Sequence, residues 1–327
     1  MKILVTGSSG HLGEGLVRTL RDREVEVVGI DLVPSEFTSA VGSIVERAFV
    51  KECMAGVDAV LHAATLHKPH VVTHTRQAFV DTNITGTLNL LEEAVLAGVG
   101  QFIFTSTTSA FGSALTPPPG RPAAWITEDV EPVPRNIYGV SKIAAEDLCE
   151  LFHRKLGLPC LILRTSRFFP EEDDRHEMRA AYDDTNAKVN EFLYRRVDIE
   201  DVVGAHLLAL EKATAQGFGR YIISATTPFL REDLAELRTN APEVLAKRVP
   251  EYEPEYARRG WKMFAGIDRV YVNDSARTGL GWRPRYDFRY VLERLMRGDD
   301  FRSELAQKVG SKGYHSLKFA GVPYPAE

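Results

Sequence analysis

The stretch that decides the fold is KILVTGSSGHLG, residues 2–13. It begins with a short apolar run, and the glycines that follow, Gly7, Gly10 and Gly13, are spaced G-x-x-G-x-x-G. A strand that ends in such a turn and leads into a helix brings backbone N–H groups against a phosphate, with no side chain in the way. The stretch therefore predicts a strand, a phosphate-binding loop and a helix at the start of the chain.

Apolar runs of the same kind recur and alternate with helical patterns. The runs are KILVT (2–6), VEVVGI (25–30), VDAVLH (57–62), QFIFTS (101–106) and PCLILR (159–164), and the clearest helical patterns cover 76–98 and 138–157. Strands that are apolar throughout and alternate with helices are typical of a parallel sheet covered on both faces. We expect an α/β fold with a doubly wound parallel sheet.

The second apolar run is followed by Asp31, about 20 residues after the glycines, where a Rossmann fold places its ribose-binding carboxylate. A carboxylate there accepts hydrogen bonds from the 2′- and 3′-hydroxyls and repels a 2′-phosphate. The glycine loop and Asp31 together predict a Rossmann-type domain that binds NAD rather than NADP.

The pattern changes after residue 165. Residues 170–190 are strongly polar, 195–213 indicate a strand leading into a helix capped near Asp201, and GRYIISA (219–225) indicates a further strand. We expect residues 1–165 to form the Rossmann domain, with 195–225 returning to it. Residues 166–194 and 226–327 then form a smaller C-terminal α/β region that binds substrate.

The composition limits the class of partner. The net charge of −5 argues against a general binder of nucleic acid or of anionic membranes, and no apolar run reaches the ~18 residues of a membrane span. The three cysteines (Cys53, Cys149 and Cys160) are scattered, which is typical of reduced thiols. We expect a cytoplasmic protein whose partner is a small molecule.

The stretch NIYGVSK (136–142) places Tyr138 and Lys142 four residues apart on one helix face. A phenol has a pKa of about 10 and is a poor base at neutral pH. A neighbouring ammonium and a nicotinamide cation both favour the phenolate, which makes tyrosine a usable general acid/base for a sugar-like hydroxyl.

Taken together, these motifs resemble the extended short-chain dehydrogenase/reductase family, in its NAD-dependent epimerase/dehydratase branch, and especially proteins similar to UDP-glucose/galactose 4-epimerases. Besides the glycine loop and Asp31, the matching segments are HAAT (62–65), DTNITGTLNLLEEA (81–94), STTSAFG (106–112) and YGVSK (138–142). The resemblance covers residues 1–165 and, more thinly, the segment from 195 to 210.

The resemblance implies a role for individual residues. Tyr138 is the general acid/base, Lys142 tunes it and holds the nicotinamide ribose, and Thr107 is the catalytic hydroxyl that bonds the substrate oxygen. The implied cofactor contacts are Gly7, Ser9, Gly10, His11, Leu12, Gly13, Asp31, Leu61, Ala63, Ala64, Thr65, Asn83, Thr105, Ser106, Tyr138, Lys142 and Arg164. The implied substrate contacts are Thr107, Thr108 and Arg167. The family also implies a homodimer formed through the helices at 76–98 and 138–157.

Several positions depart from the family pattern. The Thr-Asp-Glu of the sugar dehydratases is Thr107-Thr108-Ser109 here, so the acid and base for eliminating water are missing. Arg167 stands where nucleotide-sugar epimerases carry a diphosphate-binding asparagine, and Tyr194 stands where they carry an arginine. Arg167 suits a phosphate or the carboxylate of a sugar acid. Gly42-Ser43-Ile44 replaces Gly-Asp-Ile, which predicts a trimmed adenine pocket.

Two further segments leave alternatives open. His67, His70 and His74 lie close together in the sequence, but no cysteine or carboxylate nearby completes a four-ligand set. We favour a structural or substrate-loop role and predict no metal. The polar run EEDDRHE (171–177) is read as a solvated loop, with a mobile lid as the alternative.

The sequence therefore predicts an NAD-dependent enzyme that acts on a secondary hydroxyl of a sugar or nucleotide-sugar. A 4-epimerase returns the hydride, whereas a dehydrogenase of a non-nucleotide sugar or sugar acid releases NADH. A non-catalytic NAD-binding protein is a third possibility, which the retention of Thr107, Tyr138 and Lys142 disfavours.

Overall fold

The computed structural model describes residues 1–313 and contains a parallel seven-stranded sheet with helices on both faces. The part of the predicted substrate region that follows residue 313 lies outside the described residues. The strands are β1 (Lys2–Thr6), β2 (Glu26–Asp31), β3 (Ala40–Val41), β4 (Ala59–His62), β5 (Gln101–Thr107), β6 (Ala124–Ile126), β7 (Cys160–Thr165), β8 (Phe218–Ile223) and β9 (Arg269–Tyr271).

The order of the large sheet is β3-β2-β1-β4-β5-β7-β8, and all neighbouring pairs are parallel. The direction of winding reverses between β1 and β4. Doubly wound sheets bind ligands at such a point, beyond the carboxyl ends of the strands. The order confirms the predicted fold class, and the strand predicted at 219–225 is β8, at the edge of the sheet.

The helices follow the predicted positions in the first half of the chain. They are α1 (His11–Asp22), α2 (Arg47–Cys53), α3 (Arg76–Phe79), α4 (Gly86–Ala97), α5 (Ile137–Leu156), α6 (His176–Ala181), α7 (Asp184–Glu191), α8 (Ile199–Gln216), α9 (Leu234–Leu237), α10 (Ala241–Arg248), α11 (Tyr252–Arg259), α12 (Asp274–Gly279), α13 (Phe288–Arg297) and α14 (Glu304–Val309). None of the helices among residues 1–313 is both long and apolar enough to span a membrane.

The helix predicted at 76–98 is continuous but irregular. α3 passes through a π-helical segment, Val80–Thr85, directly into α4. A π segment changes which side chains a helix presents on one face, and such segments are frequent at functional sites. Asn83 lies inside it, so its direction does not follow from helical periodicity.

The strands of the large sheet supply two hydrophobic cores, one on each face. Ile3 and Leu61 pack with α1 and α8, whereas Leu4 and Val60 pack with α2, α4 and α5. This alternation follows from the two-residue period of a strand. The same alternation determines on which face of the sheet each side chain lies, and therefore which residues can contact a ligand at the sheet edge.

A third core lies in the C-terminal half, next to a small parallel sheet of β6 and β9. It contains apolar residues of α7, α10, α11 and α13. Trp282 and the apolar residues of α14 pack instead with α1 and α8 on the large sheet. The division into two domains that we inferred from the sequence stays a proposal.

The segment before α8 differs from the prediction. No strand precedes the helix, and residue 196 forms only an isolated bridge with residue 167. Asp198 caps α8, because its carboxylate accepts the N–H of Glu200 at 2.8 Å. Asp201 lies inside the helix, and its two carboxylate oxygens accept the backbone N–H groups of Arg285 and Tyr286 at 2.9 Å each.

Candidate active site

A cavity of about 1260 Å³ lies at the carboxyl edge of the large sheet. It is lined by the glycine loop, the ends of β4, β5 and β7, the first turns of α5, and residues of β9. Sites for one drug-sized molecule are usually about 300–1,000 Å³. This cavity therefore has room for a dinucleotide and a second, smaller molecule.

The glycine loop leaves no space for side chains. Gly7 has φ +73°, in the left-handed region, and a Cβ added there would lie 2.9 Å from the backbone nitrogen of Ala64. A Cβ on Gly13 would lie 1.9 Å from the carbonyl oxygen of Gly7. Because these contacts bring the start of α1 against β1 and β4, the loop fits the pyrophosphate cradle of NAD.

Asp31 is fixed beside this loop. Its carboxylate accepts the backbone N–H groups of Ser9 at 3.0 Å and of Val33 at 2.9 Å. These bonds orient the carboxylate at the carboxyl end of β2, within the same cavity. The position fits a ribose contact and supports NAD as the group that the loop holds.

Tyr138 lies in the first turn of α5 and faces the cavity. The side chain of Asn136 caps this helix by accepting the N–H of Gly139 at 3.1 Å. Tyr138 is 8% exposed, and burial raises its pKa to about 12, although a hydrogen bond with the Thr107 side chain acts in the opposite direction. The hydroxyl of Thr107 also accepts the N–H of Ser109 at 3.1 Å. The phenol and this hydroxyl therefore form one polar pair at the end of β5.

Lys142 lies one turn further along α5 and is also buried. Its ammonium donates to the carbonyl oxygen of Thr105 at 2.6 Å and lies 4.0 Å from the ring centroid of Phe104. Burial lowers the pKa of Lys142 to about 7, against the opposing effect of Glu146. The influence of Lys142 on the Tyr138 phenol stays a prediction, because burial and Thr107 are the causes that shift the pKa of Tyr138 here.

Most of the predicted cofactor residues line the cavity, but three of them do not. Leu61 is fully buried in the core on the face of α1 and α8. The guanidinium of Arg164 is directed at the carboxylate of Glu146, with its closest contact at 2.7 Å. Strand alternation turns both side chains away from the cavity, and their contact with NAD stays a prediction.

Asn83 is the third. Its amide nitrogen donates to the carbonyl oxygen of Leu66 at 2.8 Å and to Oγ of Ser141 at 2.9 Å. Its amide oxygen accepts the N–H of Leu66 at 2.8 Å and the hydroxyl of Thr65 at 3.0 Å. Both donors and the oxygen are therefore occupied by protein groups, and Asn83 joins the loop after β4 to the helix of Tyr138.

The predicted substrate residues Thr107, Thr108 and Arg167 all line the cavity. The Thr108 hydroxyl bonds the carbonyl oxygen of Thr165 at 3.4 Å. Arg167 donates to the carbonyl oxygens of Glu171 at 3.0 Å and Glu172 at 2.8 Å. Much of its bonding capacity is thus used by the loop that follows β7.

The polar run at 171–177 is not simply solvated. Glu171 pairs with His11 of the glycine loop at 3.0 Å, and Asp174 pairs with Lys68 at 2.5 Å. The pKa of each carboxyl is lowered to about 2, by the hydrogen bond with His11 in the first case and by the charge of Lys68 in the second, although burial acts in the opposite direction. The loop is therefore held over the edge of the cavity by ion pairs.

The three histidines of the 67–74 segment line the cavity and contact each other. The ring centroids of His67 and His70 are 4.6 Å apart, and those of His70 and His74 are 5.0 Å apart. Among residues 1–313, no group of His, Cys, Asp and Glu has the arrangement of a metal site.

Other cavity residues had no signal in the sequence. Arg135, Arg269 and Tyr271 come from segments that only the tertiary fold brings to the sheet edge. Each lies outside a recognisable motif. A basic residue of this kind is indistinguishable from a surface residue until the fold places it.

Comparison with known proteins places the chain in a family. Residues 3–224, more than half of the chain, match the NAD dependent epimerase/dehydratase family. An uncharacterized protein, y4nG, of Sinorhizobium fredii is 31% identical over 166 residues, which are 49% of this chain and only 39% of that protein. A dTDP-glucose 4,6-dehydratase of Streptomyces antibioticus is 29% identical over 331 residues, which cover 90% of this chain and 91% of that protein.

Solved structures with a similar fold come from the same group of enzymes. A short-chain dehydrogenase/reductase superfamily protein of Agrobacterium tumefaciens, solved with bound NAD, has a TM-score of 0.64 and 22% identity, and the match covers 94% of this chain and 99% of that one. The family match spans the glycine loop, Asp31, Thr107, Tyr138 and Lys142. The chain therefore belongs to the NAD dependent epimerase/dehydratase family of enzymes, and its cofactor is NAD.

Proposed function

We propose that this protein acts by hydride transfer at a secondary hydroxyl of a sugar or nucleotide-sugar, with Tyr138 as the general acid/base. The observation that carries the proposal is the buried pair of Tyr138 and Thr107, which lies in a cavity shared with the NAD-binding glycine loop. Such a reaction needs a hydroxyl group that hydrogen-bonds the reacting oxygen and, next to it, a phenol that transfers the proton.

Each residue of the pair has a defined task. The Thr107 hydroxyl hydrogen-bonds the reacting oxygen and holds it against the phenol. Tyr138 takes the hydroxyl proton as the C–O bond becomes a carbonyl, and returns it in the reverse direction. The chemistry that NAD supplies when bound is acceptance of the hydride from the same carbon.

The raised pKa of Tyr138 requires positive charge nearby for the phenolate to form. Lys142 is the basic residue on the same helix face, one turn away, and supplies that charge when its ammonium is protonated. Because burial lowers the pKa of Lys142 to about 7, its ammonium form is favoured below neutral pH in the chain without ligand. An anion or hydroxyl that bonds the ammonium raises this pKa.

Elimination of water is disfavoured, although the dehydratase of Streptomyces antibioticus is similar over 90% of this chain. Thr107 is followed by Thr108 and Ser109, which supply no carboxylate to protonate a leaving hydroxyl. We therefore place a 4-epimerase-like reaction first. A dehydrogenase of a non-nucleotide sugar or sugar acid is the second candidate, since basic residues such as Arg167 and Arg195 line the cavity.

We also propose that the protein is a cytoplasmic homodimer. Helices α4 and α5 expose apolar side chains, with Leu96 at 72%, Val140 at 49% and Leu151 at 40% exposure. A second copy packed on these helices would bury them.

The experiment is to incubate the protein with excess NAD and a panel of UDP-sugars, free sugars and uronic acids. Both the NADH formed and the sugar converted are measured. NADH in large molar excess over enzyme identifies a dehydrogenase. Conversion of the sugar with NADH at or below one equivalent identifies an epimerase. The proposal is contradicted if NAD binds to the protein but no sugar of the panel is converted, either with or without release of NADH.

A further inference from the structure

Three segments that are far apart in the sequence meet beside the glycine loop. The first is the loop itself, which contributes His11. The second is the loop after β7, which contributes Glu171, and the third is the segment 311–313 after α14, which we call the strap. His11, Lys312 and Gly313 all line the cavity. The three segments therefore meet at the part of the cavity that holds the pyrophosphate cradle.

One carboxylate oxygen joins the three segments. Oε1 of Glu171 lies 3.0 Å from Nε2 of His11 and accepts the hydroxyl of Ser311 at 2.9 Å. The same oxygen accepts the backbone N–H of Gly313 at 3.1 Å and that of Lys312 at 3.3 Å. Although burial acts in the opposite direction, the hydrogen bond with His11 lowers the pKa of this carboxyl to about 2. The carboxylate is therefore charged at neutral pH, which strengthens the bonds that it accepts.

The strap is also attached to the helix that follows the glycine loop. Leu305 and Val309 of α14, just before the strap, belong to the hydrophobic core that α1 and α8 share with the sheet. The ammonium of Lys312 pairs with the carboxylate of Glu14 in α1. The strap is therefore held by α1 on one side and by Glu171 on the other.

The contact between the glycine loop and Glu171 extends across the sheet edge. In the strand order, β4 and β5 lie between β1, which leads into the glycine loop, and β7, which leads into the loop of Glu171. The contact therefore passes over the carboxyl ends of β4 and β5. Thr107 is the last residue of β5, and its side chain bonds Tyr138. A cofactor that is held by the glycine loop and reacts beside Tyr138 has to lie along these strand ends, beneath the contact.

A second ion pair holds the same loop from the side of β4. Lys68 pairs with Asp174 at 2.5 Å, but the Lys68 side chain is 48% exposed, whereas those of His11 and Glu171 are 7% and 8% exposed. Exposed ion pairs contribute little to stability, whereas removing one partner of a buried pair is costly. The closed arrangement therefore depends mainly on Glu171.

We propose that Glu171 is a positioning residue of the NAD site, which closes the cavity by joining the glycine loop to the strap, and that this junction opens when NAD enters or leaves. Glu171 acts through His11 and the strap, and it does not take part in the reaction of the sugar. The inference goes beyond the proposed function, because it concerns the exchange of the cofactor and holds for any substrate.

The test measures how fast NADH binds to the full-length protein and how fast it leaves, by stopped-flow fluorescence. Dissociation is followed by displacing NADH with excess NAD. Glu171→Gln keeps the shape of the side chain but removes its charge, so we expect both rates to rise by roughly tenfold or more. Because a junction that opens for both entry and exit affects both rates in the same direction, Kd should change by less than either rate. A residue that only contacts NAD would change mainly the dissociation rate.

Two further variants complete the test. Glu172→Gln is the matched control, because Glu172 is the next residue, is exposed and does not line the cavity, and both rates should equal those of the wild type. Ser311→Ala removes one of the bonds to Oε1 of Glu171, so we expect a smaller rise of both rates. Thermal unfolding shows whether each variant is folded.

Wild-type rates in folded Glu171→Gln overturn the inference, as does a rise in the dissociation rate alone. Equal acceleration in Glu172→Gln also overturns it, because the effect would then belong to the loop in general. If Glu171→Gln does not fold, Ser311→Ala decides, and wild-type rates in that variant overturn the inference. These rates are measured without a sugar, so a panel in which no sugar is converted contradicts the proposed function and leaves this inference intact.

Discussion

Asn83 donates a hydrogen bond to Oγ of Ser141 at 2.9 Å and so joins the π-helical segment to the helix that carries Tyr138. The same amide holds Leu66 of the loop after β4 through two bonds of 2.8 Å. This asparagine therefore fixes two walls of the cavity relative to each other.

The first prediction follows from this connection. Asn83→Ala leaves the N–H and C=O of Leu66 without their partner, so we expect a loss of stability of at least ~2 kcal/mol and a lower kcat. Urea denaturation and steady-state kinetics measure the two effects.

Asn190→Ala is the control for that variant, because the Asn190 amide donates to the carbonyl oxygen of Lys262 at 2.8 Å and accepts the hydroxyl of Tyr256 at 2.7 Å, and none of these three residues lines the cavity. We expect it to lower stability and to leave kcat unchanged. Equal kcat in both variants would show that Asn83 has only a structural role.

The second prediction concerns the glycine loop. In Gly13→Ala the new methyl group would lie 1.9 Å from the Gly7 carbonyl oxygen, so the loop has to move and NAD affinity should fall by at least about tenfold. Gly204 in α8 has no atom within 4 Å of an added Cβ, and Gly204→Ala should raise stability by up to ~1 kcal/mol with NAD affinity unchanged. Calorimetric titration with NAD and thermal unfolding distinguish the two. If Gly13→Ala bound NAD as tightly as the wild type, the glycine loop would not be the pyrophosphate-binding site.

The third prediction is a pH dependence of stability at Asp201. Burial raises the pKa of this carboxyl to about 7 from 3.8, and the charges of Asp198 and Glu200 act in the same direction. Between these pH values the folded chain holds a proton that the unfolded chain releases, so this group's contribution to stability is lost as the pH rises through about 7.

Asp201→Asn removes that titration while keeping an acceptor for one of the two backbone N–H groups. We expect the wild type to lose stability relative to this variant as the pH rises from about 5 to 8, measured by urea denaturation at each pH. A free-energy difference that stays constant over this range would show that Asp201 is already ionised at the lower end.

Local sequence patterns were sufficient to place a residue at the cavity where the residue belongs to a motif of neighbouring residues. The glycine loop, Asp31 and the Tyr138–Lys142 pair each lie within one strand–turn or one helix, and all of them line the cavity. The parallel sheet followed in the same way from continuous apolar runs. These features depend on the backbone near them and little on the rest of the fold.

Sequence patterns were insufficient where the direction of a side chain depends on tertiary packing. Arg164 lies at the carboxyl end of β7, as expected, but strand alternation and the buried Glu146 turn its side chain away from the cavity. Asn83 is turned by a π-helical segment that no periodicity indicates. Arg269 reaches the site from the small β6–β9 sheet, a pairing for which the sequence contains no local signal.

The central claim is that Tyr138 accepts the proton of the reacting hydroxyl. The most direct measurement is the rate of sugar oxidation on the NAD-saturated protein, followed by rapid mixing in the wild type and in Tyr138→Phe, with a sugar that the panel shows to be converted. We predict a decrease of roughly 10²- to 10⁴-fold in Tyr138→Phe. Tyr221→Phe is the control, because its hydroxyl bonds Gln216 at 2.5 Å outside the cavity, and its rate should equal that of the wild type. A wild-type rate in Tyr138→Phe, with NAD bound normally, would contradict the claim.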